Sequence, residues 1–249
     1  MMLLVDIGNT RVKWAMLDGA ELRAQSAAAH AGWDREQLVA AMLDRCPEPD
    51  RVIVGNVGGA RIGELLREAV HGVWNIGAQF IHSTSQFGEV RNAYPEPANL
   101  GVDRWLAMLA VHAMERAPAC IVSVGTAMTV DALDSSGQHL GGVIVPGPDL
   151  MVSSLLRNTS EIASRAMQGN IGADVFANNT LGGIRQGSVH ALAALVERAM
   201  QAMQARIATT PVLYLTGGAS ASLEGVLRMP YRHVADLVLR GLAVVANSK

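Results

Sequence analysis

One short pattern occurs twice in this chain and constrains its fold more than any other feature. Val5-Asp6-Ile7-Gly8-Asn9-Thr10 closes an apolar run and, with an offset of 117 residues, lies over Val122-Ser123-Val124-Gly125-Thr126-Ala127. On the same offset Ala15 and Met16 fall over Ala132 and Leu133. Each copy reads as strand, glycine turn, strand. Glycine permits close approach and such a turn leaves backbone N–H groups unpaired, so each copy is suited to hold a phosphate. The repeat therefore predicts two similar halves whose turns form a phosphate clamp.

The surrounding pattern extends the repeat. Residues 2–5, 12–17 and 21–25 read as short strands, separated by Gly8-Asn9-Thr10 and by Asp18-Gly19. Leu38, Val39, Met42 and Leu43 lie at helical spacing behind the start signal of Asp34, and Arg51–Val54 returns as a buried strand. A helix over 60–71 and a strand near 79–82 follow. Pro95 and Pro97 make 91–99 a loop, because proline removes a donor and restricts its neighbour. A helix from Val102 to Glu115, read as the bridge between halves, leads to strands at 119–124, 128–133 and 139–145. Helices at 147–157, 180–204 and 220–227, a strand at 212–216 and a last helix at 234–246 complete the chain. The expected fold class is α/β: two actin-like (ribonuclease H-like) domains, each a mixed sheet with βββαβα order, around a central nucleotide cleft. The domains are drawn at 1–115 and 116–249, with the last helix able to cross back to the first.

Composition excludes several alternatives. Half of the 249 residues are hydrophobic and only 17% are charged, which suits an aliphatic α/β interior and argues against disorder. The formal net charge is −2, and no segment concentrates Lys or Arg enough to track a nucleic-acid backbone. Cys46 and Cys120 are isolated, which suits a reducing cytosol and small core positions rather than structural zinc. The N-terminus lacks a signal peptide's basic flank and cleavage site, and no apolar stretch is long enough to span a bilayer. A cytoplasmic, soluble protein with no membrane partner is expected.

The candidate chemistry clusters at the turns. Lys13 can reach a nucleotide phosphate as a point charge, and Asp6 can hold a hydrated Mg²⁺ bridging phosphate oxygens. The bland alternative is a β-hairpin in which Asp6 bonds its own turn amides. Gly125-Thr126-Ala127-Met128-Thr129, followed by Asp131, supplies further amides and hydroxyls. Leu215-Thr216-Gly217-Gly218-Ala219-Ser220 ends a strand and opens a helix, where a ribose, adenine or phosphate can be admitted. In Gly101-Val102-Asp103-Arg104, Asp103 can accept a proton from a hydroxyl nucleophile, and Arg104 can bind a carboxylate or phosphate through its rigid fork. The alternative makes Asp103 a helix N-cap and Arg104 a surface residue. Of the seven histidines only His30, with Asp34, has a carboxylate four residues away, and all read as solvated or structural. Neither GxxxxGK[ST] nor GxSxG occurs.

These residues together resemble the type III pantothenate kinases of the actin-like ATPase superfamily. The likeness runs nearly end to end. It rests on Asp6 to Thr10 with Lys13, on Tyr94 seven residues before Gly101, on Gly101 to Arg104, on Gly125-Thr126-Ala127, on Gly141 to Gly147 and on Asn179-Thr180. The resemblance implies ATP-dependent phosphorylation of the primary hydroxyl of pantothenate, the first committed step towards coenzyme A. It implies that Asp6, Ile7, Gly8, Asn9, Thr10, Arg11, Val12, Lys13 and Thr126 bind ATP. Tyr94, Gly101, Val102, Asp103 and Arg104 would bind pantothenate, with Asp103 the proton acceptor. Thr180 would complete the pantothenate pocket, which in the family lies at a homodimer interface. Arg157 lies where the family supplies basic groups across the dimer, in a pattern too loose to align.

One departure stands out. Family members commonly carry Asp before the second turn, in a pattern like D-x-G-T, as ligand for an activating potassium or ammonium ion. This chain has Ser123 there. A hydroxyl is a weaker cation ligand than a carboxylate, so altered activation, or other oxygens as ligands, is expected. Two further readings compete: a non-catalytic actin-like regulatory or accessory protein, which would keep the turns without needing Asp103-Arg104, and a kinase for another small hydroxylated substrate, differing around Tyr94–Arg104 and Thr180.

Overall fold

The computed structural model describes residues 1–159, 175–207 and 209–248. The chain divides into two compact units: Met1–Arg116 with Ser136–His139 and Asp236–Lys249, and Ala117–Ser135 with Leu140–Ala235.

In the first unit, strands β1 (Met2–Ile7), β2 (Arg11–Asp18) and β3 (Glu21–Ala29) form the antiparallel meander, followed by α1 (Arg35–Ala41), β4 (Arg51–Asn56), α2 (Ala60–Trp74) and β5 (Ala78–Phe80). Strand order is β3-β2-β1-β4-β5, with β4 parallel to β1 and β5 parallel to β4. Asp34 starts α1 through a capping box, its carboxylate accepting from the Gln37 N–H at 2.8 Å while the Gln37 side chain accepts from the Asp34 N–H. Strand side chains alternate between faces. Leu3, Val5 and Ile7 join Val52 and Val54 in a core closed by Leu38, Ile62 and Leu66 of α1 and α2.

The opposite face of the same strands carries Leu4, Asp6, Ile53 and Gly55. It is covered by α3 (Val102–Met114), reached through the short hairpin β6 (Gln86–Phe87) and β7 (Val90–Arg91), and by the last helix of the chain (Leu237–Asn247). Helix α3 is apolar nearly all round and is buried from Arg104 to His112. At Gly241 the last helix comes so close that a Cβ would lie 2.1 Å from the Leu106 carbonyl oxygen. Gly55 likewise leaves room for Leu106.

The second unit repeats the sheet. Strands β8 (Ala119–Val124), β9 (Ala127–Leu133) and β10 (His139–Pro146) are followed by α4 (Pro148–Asn158), α5 (Thr180–Ile207), β11 (Val212–Thr216), α6 (Ala221–Glu224) and β12 (Arg232–His233), and the last helix is α7. The order β10-β9-β8-β11-β12 is that of the first sheet. Val122, Val124 and Val130 pack against Leu192, Val196 and Met200 of α5. The helix expected at 220–227 is only Ala221–Glu224.

Register corrects one detail of the repeat. Ile7 pairs with Val12 around a four-residue connection, whereas Val124 pairs with Met128 around three. The second turn is thus one residue shorter, and beyond it the halves are offset by one position. Ala15 stands opposite Leu4, as Asp131 stands opposite Ile121, so Ala15 corresponds to Asp131 and not to Ala132.

Candidate active site

Asp6 is the last inward-turned residue of β1 on the α3 face, and register sets it between Lys13 of β2 and Gly55 of β4. The turn beyond it is braced from several sides. Gly8 N–H donates to the Arg11 carbonyl at 2.9 Å, and the N–H groups of Val57 and Gly58 donate to the Ile7 carbonyl at 2.9 and 3.1 Å. His30, buried at the end of β3, donates from Nε2 to the Gly8 carbonyl at 2.8 Å. A Cβ at residue 58 would lie 2.6 Å from that same oxygen, so only glycine lets the two turns touch. Asn9, Thr10 and Arg11 are exposed at the tip, whereas Ile7 and Val12 point into the core and offer a ligand only their backbone.

The second cluster is built at the start of α3. Gly101 is the N-cap, so Asp103 is not the cap; it lies in the first turn, half-buried, with its carboxylate folded over Gly101. Arg104 is buried and not a surface residue. Its Nη1 donates to the Tyr94 phenol oxygen at 3.0 Å, and its guanidinium carbon lies 5.7 Å from the Tyr94 ring centre. Val102 is buried beside them. The proline loop is held by its own polar groups: Tyr94 N–H donates to Asn92 Oδ1 at 2.9 Å, and Ser83 Oγ donates to the Leu100 carbonyl at 2.8 Å.

The two clusters are joined electrostatically. Burial pushes the Asp6 carboxyl up to about 7; the Lys13 ammonium opposes this, and the Asp103 carboxylate adds to it. A buried carboxyl beside a second carboxylate, with a lysine opposite, is a place where a cation and a polyanion are both favoured. The residues present therefore fit a hydrated magnesium ion carried in with a phosphate chain.

In the second unit the equivalent turn is closed by Gly125 N–H donating to the Ala127 carbonyl at 2.9 Å, and Gly147 N–H donates to the Thr126 carbonyl at 2.8 Å. The third glycine turn packs on the end of the same strand. Ala219 N–H donates to the Val124 carbonyl at 3.0 Å, as Val57 and Gly58 do to Ile7 in the first unit. Gly217 has φ +99°, and a Cβ there would meet the Val124 carbonyl oxygen at 2.2 Å. Register sets Ser123 between Thr129 and Thr216, three hydroxyl residues abreast where the first unit has Lys13, Asp6 and Gly55. This row does not fit a carboxylate-bound cation. Thr180 opens α5, where Asn179 Oδ1 accepts from the Gly182 N–H at 2.8 Å.

Sequence reasoning missed two histidines. His30 braces the first turn, and His139, also buried, stacks on Tyr94. No local pattern marks either; both act through contacts made far along the chain.

Two mixed sheets of matching order, each ending in a glycine turn, have counterparts among solved structures. A Campylobacter jejuni chain described as a Baf family transcriptional activator superposes with TM-score 0.61 at 22% identity, covering 98% of each chain. The activator of the 2-hydroxyisocaproyl-CoA dehydratase from Clostridium difficile, solved with bound ADPNP, superposes with TM-score 0.52 at 16% identity, covering 98% of this chain and 93% of that one. The fold is that of the actin-like ATPases and sugar kinases. Within that class, the family model for type III pantothenate kinases matches residues 2–202. The type III pantothenate kinase of Aromatoleum aromaticum is 41% identical over 252 residues, covering 99% of this chain and 98% of the relative. That of Nitrosococcus oceani is 35% identical over 252 residues, covering 99% and 94%. The chain belongs to the type III pantothenate kinase family.

Proposed function

We propose that this protein transfers the γ-phosphoryl group of ATP to the primary hydroxyl of pantothenate, giving 4'-phosphopantothenate, the first step of coenzyme A biosynthesis. Family membership supports the activity. The observation that carries the assignment to residues is the cluster in the first unit, where Asp6, Lys13 and Asp103 interact and Arg104 is buried against Tyr94. An accessory protein that merely kept the nucleotide turns would have no use for a buried arginine at a substrate loop.

Phosphoryl transfer passes through a loose transition state, so positioning and charge stabilisation supply most of the acceleration. The turn from Gly8 to Thr10, with Lys13, holds the phosphate chain, and Thr126 is read as a further ATP-binding residue. Magnesium held through water by Asp6 would neutralise charge on the phosphate oxygens when bound. Tyr94 and Gly101 to Arg104 hold pantothenate, with the Arg104 fork suited to its carboxylate. Asp103 orients the hydroxyl and accepts its proton. The halves 1–115 and 116–249 are read as two domains, each carrying one turn, with the final helix returning to the first.

Thr180 is read as part of a pantothenate pocket shared within a homodimer. Exposed apolar side chains of the second unit support an interface there: Val143, Ile144, Leu150, Leu155 and Phe176, the last 87% exposed. Monovalent-cation activation is read as weakened or moved to other oxygens, because Ser123, Thr129 and Thr216 offer hydroxyls only. A cytoplasmic location follows from the pathway; among the described residues no helix is long and apolar enough to cross a membrane.

Purified protein given ATP and Mg²⁺ with pantothenate, acetate, glycerol or glucose tests the reading through a coupled ADP assay and thin-layer detection of the product. Turnover with pantothenate alone is expected. Turnover with another acceptor and none with pantothenate would overturn it.

A further inference from the structure

We infer that His139 is a positioning residue for the acceptor substrate, acting through Tyr94 and Arg104; the inference rests on the pantothenate reading above. Its imidazole is 1% exposed and lies parallel to the Tyr94 ring, with centres 6.0 Å apart and planes 12° apart. Its Nδ1 accepts the Ala93 N–H at 3.4 Å, which leaves the proton of the neutral ring on Nε2. One side chain thus fixes two consecutive residues of the proline loop, Ala93 by hydrogen bond and Tyr94 by its ring face.

The position of His139 is itself over-determined. Arg91 N–H donates to the Gly137 carbonyl at 2.8 Å, Arg91 Nε donates to Gln138 Oε1 at 3.1 Å, and Gln138 Nε2 donates to the His139 carbonyl at 2.9 Å. Gly137, at φ +82°, has no room for a Cβ, which would lie 2.6 Å from the Glu89 carbonyl oxygen. Residues 136–139 therefore clamp the loop, although in sequence they join β9 to β10 of the second meander. From this clamp the contacts run in order: His139 to the Tyr94 ring, the Tyr94 phenol oxygen to Arg104, and Arg104 beside Asp103 in the first turn of α3. A tyrosine on a proline loop has two side-chain torsions to lose before it can meet a substrate. A buried ring stacked on it removes that freedom in advance, which is how preorganisation raises affinity.

The test compares His139→Ala, which removes both contacts, with His139→Phe, which keeps a ring face, and His139→Asn, which keeps an acceptor. Steady-state kinetics are read for both substrates. Independently, the protein is labelled with 3-fluorotyrosine; it has three tyrosines, Tyr94, Tyr214 and Tyr231, and Tyr94→Phe assigns the relevant ¹⁹F signal. For His139→Ala the KM for pantothenate is expected to rise roughly tenfold while the KM for ATP stays within about twofold, from the usual worth of one aromatic pair and one hydrogen bond. The Tyr94 signal alone should move, through loss of the neighbouring ring current. His139→Phe should return part of both effects, and His139→Asn should fall between wild type and His139→Ala in KM. Equal change in both KM values, an unmoved Tyr94 signal, or a Phe variant no better than Ala would overturn the inference. If wild type fails to phosphorylate pantothenate, the functional reading falls, and the ¹⁹F comparison still decides whether His139 positions Tyr94.

Discussion

Asp6 and Lys13 stand directly opposite each other across the β1–β2 pair, one strand position back from the glycine turn. Their pairing does not offset the burial of Asp6, whose carboxyl remains pushed up to about 7. A carboxyl with a folded-state pKa above its unfolded value binds a proton on folding. Its contribution to stability is therefore full below the unfolded value and is lost as pH rises through about 7. Without nucleotide and magnesium, Asp6→Asn should be more stable than wild type at pH 8, by at most about 4 kcal/mol, and equally stable near pH 3.5. The same variant should lose most kinase turnover. Thermal melts across pH check the first claim, and an unchanged melting difference from pH 3.5 to 8 would refute it.

Asp103 lies half-buried in the first turn of α3 and is not the N-cap, so its amide variant should leave the helix intact. Asp103→Asn is expected to lower kcat by about 10²–10⁴-fold, with an unchanged melting temperature. Near-normal turnover would remove Asp103 from the role of proton acceptor.

His30 holds the Gly8 carbonyl at 2.8 Å, and with it the orientation of the first turn. Loss of one such hydrogen bond is worth about 1 kcal/mol, so His30→Ala should raise the KM for ATP about fivefold. The KM for pantothenate should stay as it was. Equal movement of both constants would mean that His30 supports the fold at large rather than the nucleotide turn.

Ser123 stands at the end of β8 with Thr129 and Thr216 abreast of it, so this row offers a cation hydroxyl side chains and no carboxylate. Wild-type turnover is expected to differ little between KCl and choline chloride at fixed ionic strength, and Ser123→Asp should introduce a potassium response. Strong dependence of the wild type on ordinary millimolar potassium would sink the idea of a weakened site.

Gly217 and Gly218 are adjacent but not equivalent. Gly217→Ala places a Cβ at 2.2 Å from the Val124 carbonyl oxygen on a backbone with φ +99°, whereas Gly218 has open space. Gly217→Ala should cost at least about 1–3 kcal/mol, and Gly218→Ala should stay within about 0.5 kcal/mol. Denaturant titration separates them; similar midpoints would contradict the packing of this turn on β8.

Much of this protein is legible from sequence because the signals are local. The turn residues mark the two meanders, the start signal of Asp34 marks α1, and the repeat of Asp6 to Thr10 at Ser123 to Ala127 announces two sheets of one plan. The same repeat hides the shorter second turn, because residue offset cannot reveal pairing register, and so Ala15 matches Asp131 rather than Ala132. Helix α3 reads correctly as a helix, yet nothing local says that Arg104 is buried against Tyr94 or that Gly101 is the cap. The roles of His30 and His139 depend wholly on partners brought together by folding: a carbonyl 22 residues away for one, and a loop 46 residues away for the other. Neighbours along the chain suffice to mark most of the elements, the repeated turn and the chemical types at the site, since these signals are local. Folding in three dimensions sets how deeply Asp6 is buried, which pushes its carboxyl up to about 7, and which buried ring stacks on the proline loop, since burial and Coulomb interaction depend on distance in space.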